Sequence, residues 1–136
     1  KQVRKIGVVD KNVEKLISEF MPGPITLILE RNENLDDYIT NGKNTIAVRI
    51  ATTKALVELI RKVGTPIFMT SANKSGEPEC KNIAEIEKLS PLLDGILYGK
   101  YSFGKASTIV DCRFGEIKII RKGPISEKEI RDILSK

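Results

Sequence analysis

The chain has 136 residues, 40% of them apolar and 30% charged, with 23 Lys and Arg against 18 Asp and Glu and a net charge of +5. This suits one globular domain over 1–136 with a core and an ordinary solvated surface. It contains no histidine and only two distant cysteines, Cys80 and Cys112, which excludes a Ser–His or Cys–His nucleophile system and argues against a zinc site.

The basic excess fits an anionic ligand such as a nucleotide or RNA, or simply a basic surface. Aromatics, at 5%, are scarce for stacking along single-stranded nucleic acid. Few cysteines fit a reducing cytoplasm. The longest apolar runs are strand-sized rather than membrane-spanning, and the basic start KQVRK leads into no leader-type apolar region. The first residue is Lys rather than Met, so the expectation is a processed chain or a piece of a longer one.

Taken in order, Val13, Leu16, Ile17 and Phe20 recur at helical spacing from Asp10 to Phe20. Asp10 or Asn12 can cap this helix, and Pro22-Gly23-Pro24 stops it. Ile25 to Glu30 reads as a central strand, Asn41-Gly42 as a turn, and Thr45 to Ile50 as a second strand interrupted by Arg49. A helix is expected from Thr52 to about Val63, then a strand over Pro66 to Met69. Asn82 with Glu85 makes a capping box for a short helix to Leu89. Gly95 to Tyr98, Ser107 to Cys112 and Ile117 to Arg121 read as strands, the last two joined at Phe114-Gly115. Ser126 and Glu129 form a second capping box, opening a helix over Glu127 to Leu134. The order α β β α β α β β β α predicts an α/β sheet with parallel and antiparallel pairs.

Chemistry can gather at few places. Thr70 to Pro78 (TSANKSGEP) follows an apolar run, as a ligand loop at a strand end would, though many such loops are turns. Arg49 sits among Ile46, Ala47, Val48 and Ile50; such an arginine either faces solvent or captures a carboxylate or phosphate bidentately. Ser107 and Thr108 follow a Gly104-Lys105 loop, and Arg121 ends the next strand as an anion contact or a solvated end. GxGxxG and GxxxxGK[ST] are absent, which disfavours Rossmann and P-loop nucleotide binding. Any catalysis would rest on positioning and electrostatics.

Five motifs in order, MPGPITLIL, NTIAVRI, PIFMTSANKSGEP, STIVD and IIRKGPIS, resemble the Sua5/YrdC/YwlC family of threonylcarbamoyl-AMP synthases. The likeness runs from about Val13 to the C-terminus. It implies a twisted open mixed α/β sheet with flanking helices around a basic concave cavity, here incomplete at the N-terminus. It also implies a cytoplasmic nucleotidyltransferase that joins L-threonine, bicarbonate and ATP, releases pyrophosphate, and hands threonylcarbamoyl-AMP to downstream threonylcarbamoyl-transferase proteins. These modify adenosine 37 of tRNAs reading ANN codons. By the same resemblance Arg49, Ser71 and Ser107 would contact L-threonine, while Thr45, Asn73, Lys81 and Arg121 would contact ATP, accompanied by Mg²⁺ held on its phosphates. No residue is assigned as catalytic.

Lys81 stands where the family often has a smaller hydroxyl residue. The family's upstream PT-x-T-x-YG and Lys-x-Arg motifs would lie tens of residues before Pro22, where the sequence holds only Lys1 to Met21. Lys1, Arg4 and Lys5 are at the wrong distance to replace them, so the expectation is a weak or inactive synthase on its own. The alternatives are a double-stranded RNA or nucleotide-binding module and a regulatory paralogue without catalysis.

Overall fold

A computed structural model describes residues 1–99 and 106–136. It divides into two compact units, Lys1–Pro66 with Lys105–Lys136, and Ile67–Gly104.

The larger unit begins with a single turn, α1 (Val3–Ile6), that the sequence pattern does not announce, followed by α2 (Lys11–Phe20). Of the two possible caps Asp10 takes the role: its carboxylate accepts the Val13 N–H at 2.8 Å, satisfying an amide that the first helical turn leaves open. Strand β1 (Ile25–Glu30) follows. The Asn41-Gly42 turn has both residues left-handed, at φ 52° and 73°, and delivers the chain into β2 (Thr45–Val48). Helix α3 (Lys54–Val63) comes next. Beyond the undescribed residues lie β3 (Thr108–Asp111), β4 (Lys118–Arg121) and α5 (Glu127–Leu134), the last opened by the expected Ser126–Glu129 capping box.

The four strands form one sheet in the order β2-β1-β3-β4. β1 runs antiparallel to β2 and parallel to β3, and β3 runs antiparallel to β4, so the sheet is mixed, as expected. Burial alternates along β1, because successive side chains leave opposite faces of a strand. One face gives Ile25, Leu27, Leu29, Val48 and Val110 to the core, where they meet Val13 and Leu16 of α2 and Ile130 of α5. Each fully buried aliphatic side chain contributes roughly 1.5–3 kcal/mol. Buried Thr108 shares this face; its hydroxyl donates to the Ile125 carbonyl at 2.7 Å and accepts the Ile125 N–H at 3.1 Å.

The smaller unit contains α4 (Ile83–Glu87), capped by Asn82, whose side chain accepts the Glu85 N–H. Two strand expectations fail here. Pro66 to Met69 and Gly95 to Tyr98 form no strand, and Phe68, Met69, Leu97 and Tyr98 are exposed. A strand exists only where a neighbour completes its hydrogen bonds, and among the described residues neither segment has one. Among the described residues, no helix is long and apolar enough to cross a membrane.

Candidate functional site

The second face of the sheet is the candidate site of the larger unit. The alternation that buries Ile25, Leu27 and Leu29 turns Thr26, Ile28 and Glu30 outward, and the register sets Ile28 beside Ala47 and Asp111, and Glu30 beside Thr45. These positions are half-buried or exposed. Polar side chains on this face therefore meet a ligand or solvent rather than a core.

One end of the face is organised around Ser107, the residue before β3. It is only 6% exposed, and its hydroxyl lies 2.8 Å from that of Thr26. Arg121, at the end of β4 and opposite Ile109, donates from Nε to the Ser107 carbonyl at 3.0 Å and from Nη2 to the Ser107 hydroxyl at 3.2 Å. Ser107 and Arg121 were expected in a site on separate grounds, and the fold joins them. The Gly104-Lys105 loop before Ser107 lies outside the described residues.

Arg49 corrects an expectation. The sequence puts it inside a strand, but β2 ends at Val48, so Arg49 stands one residue beyond, exposed, and needs no buried partner. Val48 faces Leu27, which places Arg49 at the end of β1 that carries Thr26. Among the described residues its guanidinium makes no hydrogen bond or ion pair.

Thr45 does not join this group. It lies four residues back along β2, about 13 Å away at strand spacing, opposite Glu30. There it helps line a depression of about 320 Å³ with Glu30, Arg31, Asn44, Arg113 and Phe114. The Arg113 guanidinium forks onto Asp111, with Nε to Oδ1 at 2.8 Å and Nη2 to Oδ2 at 2.6 Å, and holds that carboxyl below the usual range.

Thr26 escapes the sequence reading altogether. The only signal was a lone hydroxyl in the otherwise apolar run Ile25 to Leu29, the same kind of anomaly that singled out Arg49.

In the smaller unit the Thr70 to Pro78 segment is a self-braced loop. The Ser71 hydroxyl donates to the side-chain Oδ1 of Asn73, and the Asn73 side-chain Nδ2 donates to the backbone carbonyls of Lys74 and Glu77 at 2.9 and 3.1 Å. Gly76 turns the chain at φ 82°, a region that favours glycine. Asn73 thus spends its amide hydrogens on the loop, while Ser71 stays exposed. The Lys81 side chain is also exposed; its backbone N–H donates to Glu85 at 2.7 Å and draws the Glu85 carboxyl below its ordinary pKa.

Comparison with known proteins identifies the family. A family model described as "Telomere recombination", that of Sua5, YciO and YrdC, matches residues 1–123. A threonylcarbamoyl-AMP synthase of Pyrococcus abyssi is 31% identical over 131 residues, covering 93% of this chain and 38% of that protein. A putative threonylcarbamoyl-AMP synthase of Methanocaldococcus jannaschii is 32% identical over 126 residues, covering 91% and 58%. The chain thus spans less than two thirds of these relatives. The crystal structure of P. abyssi Sua5 complexed with L-threonine matches with a TM-score of 0.85 at 28% identity, over 97% of this chain and 40% of that one. Escherichia coli YciO, 23% identical with a TM-score of 0.82, shares the fold. With the open mixed sheet and the five ordered motifs, the match over residues 1–123 means that the chain belongs to the Sua5/YciO/YrdC family.

Proposed function

We propose that this chain binds L-threonine and ATP as part of a threonylcarbamoyl-AMP synthase. The observation that carries the reading is the exposed position of Arg49, one residue beyond β2 at the end of β1 that carries Thr26, where the Ser107–Arg121 pair also lies. A cationic fork beside an ordered hydroxyl is what an amino-acid carboxylate needs.

In this reading Arg49 takes the threonine carboxylate and Ser107 a carboxylate or carbamoyl oxygen. Arg121 and Thr45, on the same face, serve ATP. Bicarbonate and the threonine amine form a carbamate with loss of water. A carbamate oxygen then attacks the α-phosphorus, and pyrophosphate leaves. None of these steps needs a side-chain nucleophile; positioning and charge neutralisation suffice. Mg²⁺ would be expected to accompany ATP, held on its phosphates. The product would pass to a threonylcarbamoyl-transferase acting on tRNA.

Isothermal titration tests the reading. L-Threonine should bind saturably, and Arg49→Ala should weaken binding at least about 50-fold, the loss of a charge-assisted bidentate contact. No threonine binding by the unmodified chain, with salt-dependent binding of double-stranded RNA instead, would overturn it.

A further inference from the structure

Resting on that reading, we infer that Phe114 is a specificity-determining residue that stacks on the base of ATP, with the phosphates directed toward Arg121. Phe114 has φ 58° and ψ 26°, the left-handed region that a bulky side chain enters only at a cost. Its ring is also 79% exposed, so the fold gains no burial in return. Glycine or asparagine would make the same turn more easily. Two carboxylates nonetheless hold the turn in place: Glu30 accepts the Phe114 N–H at 3.2 Å, and Asp111 accepts the Arg113 N–H at 3.1 Å. The Arg113 guanidinium, fixed by its fork on Asp111, lies 5.7 Å from the centre of the ring. A braced, exposed aromatic ring is a stacking platform, and every base offers it a π-face.

The charges around the ring decide which part of ATP it meets. Phe114 borders the depression that Thr45 lines, together with Glu30, Arg31, Glu33 and Arg113. Both arginines there are paired with a carboxylate, Arg31 with Asp37 and Arg113 with Asp111. Glu30 and Glu33 make no ion pair among the described residues. A triphosphate would set its negative charges against these carboxylates, with no unpaired cation beside them. A base brings no charge, and the exocyclic amino group of adenine donates hydrogen bonds that a carboxylate accepts. Guanine has an acceptor, O6, in place of that amino group, so the depression selects adenine.

The other end of the face has the opposite character. Arg121 lies opposite Ile109, which is itself beside Thr26, and it donates only to neutral oxygens of Ser107, so its charge stays available to a phosphate. From Glu30 to Thr26 is four residues of β1, about 13 Å at strand spacing, a span comparable to an extended nucleoside triphosphate. ATP therefore lies along the sheet with its base at the Glu30 end.

The experiment compares the unmodified chain with Phe114→Gly, which removes the ring, and Phe114→Tyr, which keeps it. Titrations with ATP, GTP, inorganic tripolyphosphate and L-threonine are read beside thermal melting. The unmodified chain should bind ATP more tightly than GTP. Phe114→Gly should weaken ATP binding about 10-fold, the order of one lost base–aromatic stack, with tripolyphosphate and L-threonine changed less than about 2-fold. Its melting temperature should hold or rise, because glycine takes a positive φ without a Cβ clash. Phe114→Tyr should keep most of the ATP affinity. Unchanged ATP binding by Phe114→Gly, with L-threonine still bound, overturns the base site alone. So does an equal loss of ATP and tripolyphosphate binding, which would put phosphate at Phe114, or GTP bound as tightly as ATP. A lower melting temperature with ATP and L-threonine binding lost together would make the ring a support of the fold and likewise overturn it. No binding of ATP or L-threonine by the unmodified chain overturns the proposed function and this inference with it.

Discussion

Arg121 holds Ser107 at two points, Nε on its carbonyl at 3.0 Å and Nη2 on its hydroxyl at 3.2 Å. The clamp joins the end of β4 to the residue before β3, so the strand pairing that builds the sheet also positions the Ser107 hydroxyl. A guanidinium makes both contacts from one rigid plane, whereas an ammonium is a single point charge. Arg121→Lys should therefore keep the charge and lose the clamp. The expected result is about a 5-fold loss in L-threonine affinity, with stability changed by less than about 1 kcal/mol because Arg121 is exposed. Titration and urea unfolding measure the two; unchanged affinity would show that Ser107 is ordered without its arginine.

How legible this was depended on the range of the forces involved. Asp10, Ser126 and Glu129 act on backbone within a few residues of themselves, and the capped helices appear where the pattern places them. The alternation along Ile25 to Glu30 likewise marks a strand with one buried face. Pro66 to Met69 has strand-like composition, but its ladder partner would be set by distant chain, about which local composition says nothing. Arg49 misled by one residue: strand ends are decided by pairing, and β2 stops before it. Ser107 and Arg121 were each visible, yet their contact depends on the β3–β4 register. Thr26 acquires meaning only from a hydroxyl 81 residues away.

Asp111 gives the fold a pH dependence of definite sign. Hydrogen bonds from the Arg113 side chain lower its pKa from an ordinary value of 3.8. A depressed carboxyl contributes stability above its unfolded pKa and loses it as pH falls through the lower folded value. Stability should thus be level at neutral pH and fall below about pH 4. In Asp111→Asn this part of the acid loss should disappear. Urea midpoints between pH 7 and pH 2 test it; identical acid slopes in the two proteins would remove Asp111 as a cause.

The two cysteines should react very differently. Cys112 is 5% exposed in the core, and burial pushes its thiol up to about 12, so almost no thiolate forms at pH 8. Cys80 is half-buried. A disulfide reagent at pH 8 should modify one thiol per folded chain and the second only in denaturant. The raised value also means that stability is full below the unfolded thiol pKa and declines as pH rises from about 9 towards 12. Prompt modification of both thiols in the folded protein would contradict the buried placement of Cys112.

Gly123 supports the site from behind. A Cβ there would lie 2.3 Å from the Thr108 nitrogen, 2.6 Å from the Ala106 carbonyl oxygen and 2.7 Å from the Ser107 carbonyl carbon. All three are backbone atoms, so no side chain can swing aside, and the turn after β4 or the entry to β3 must move. Gly123→Ala should cost about 3 kcal/mol, the upper range for overpacking. It should also weaken L-threonine binding more than Arg121→Lys does, because displacing the Ser107 backbone spoils the Thr26 and Arg121 contacts together. Gly95→Ala is the control: nothing lies within 4 Å of the added Cβ, and stability should change little. Urea unfolding of the two variants and threonine titration below the unfolding transition measure both effects. A Gly123→Ala protein as stable as the Gly95→Ala control would mean that the close approach of these two backbones is not needed to hold Ser107.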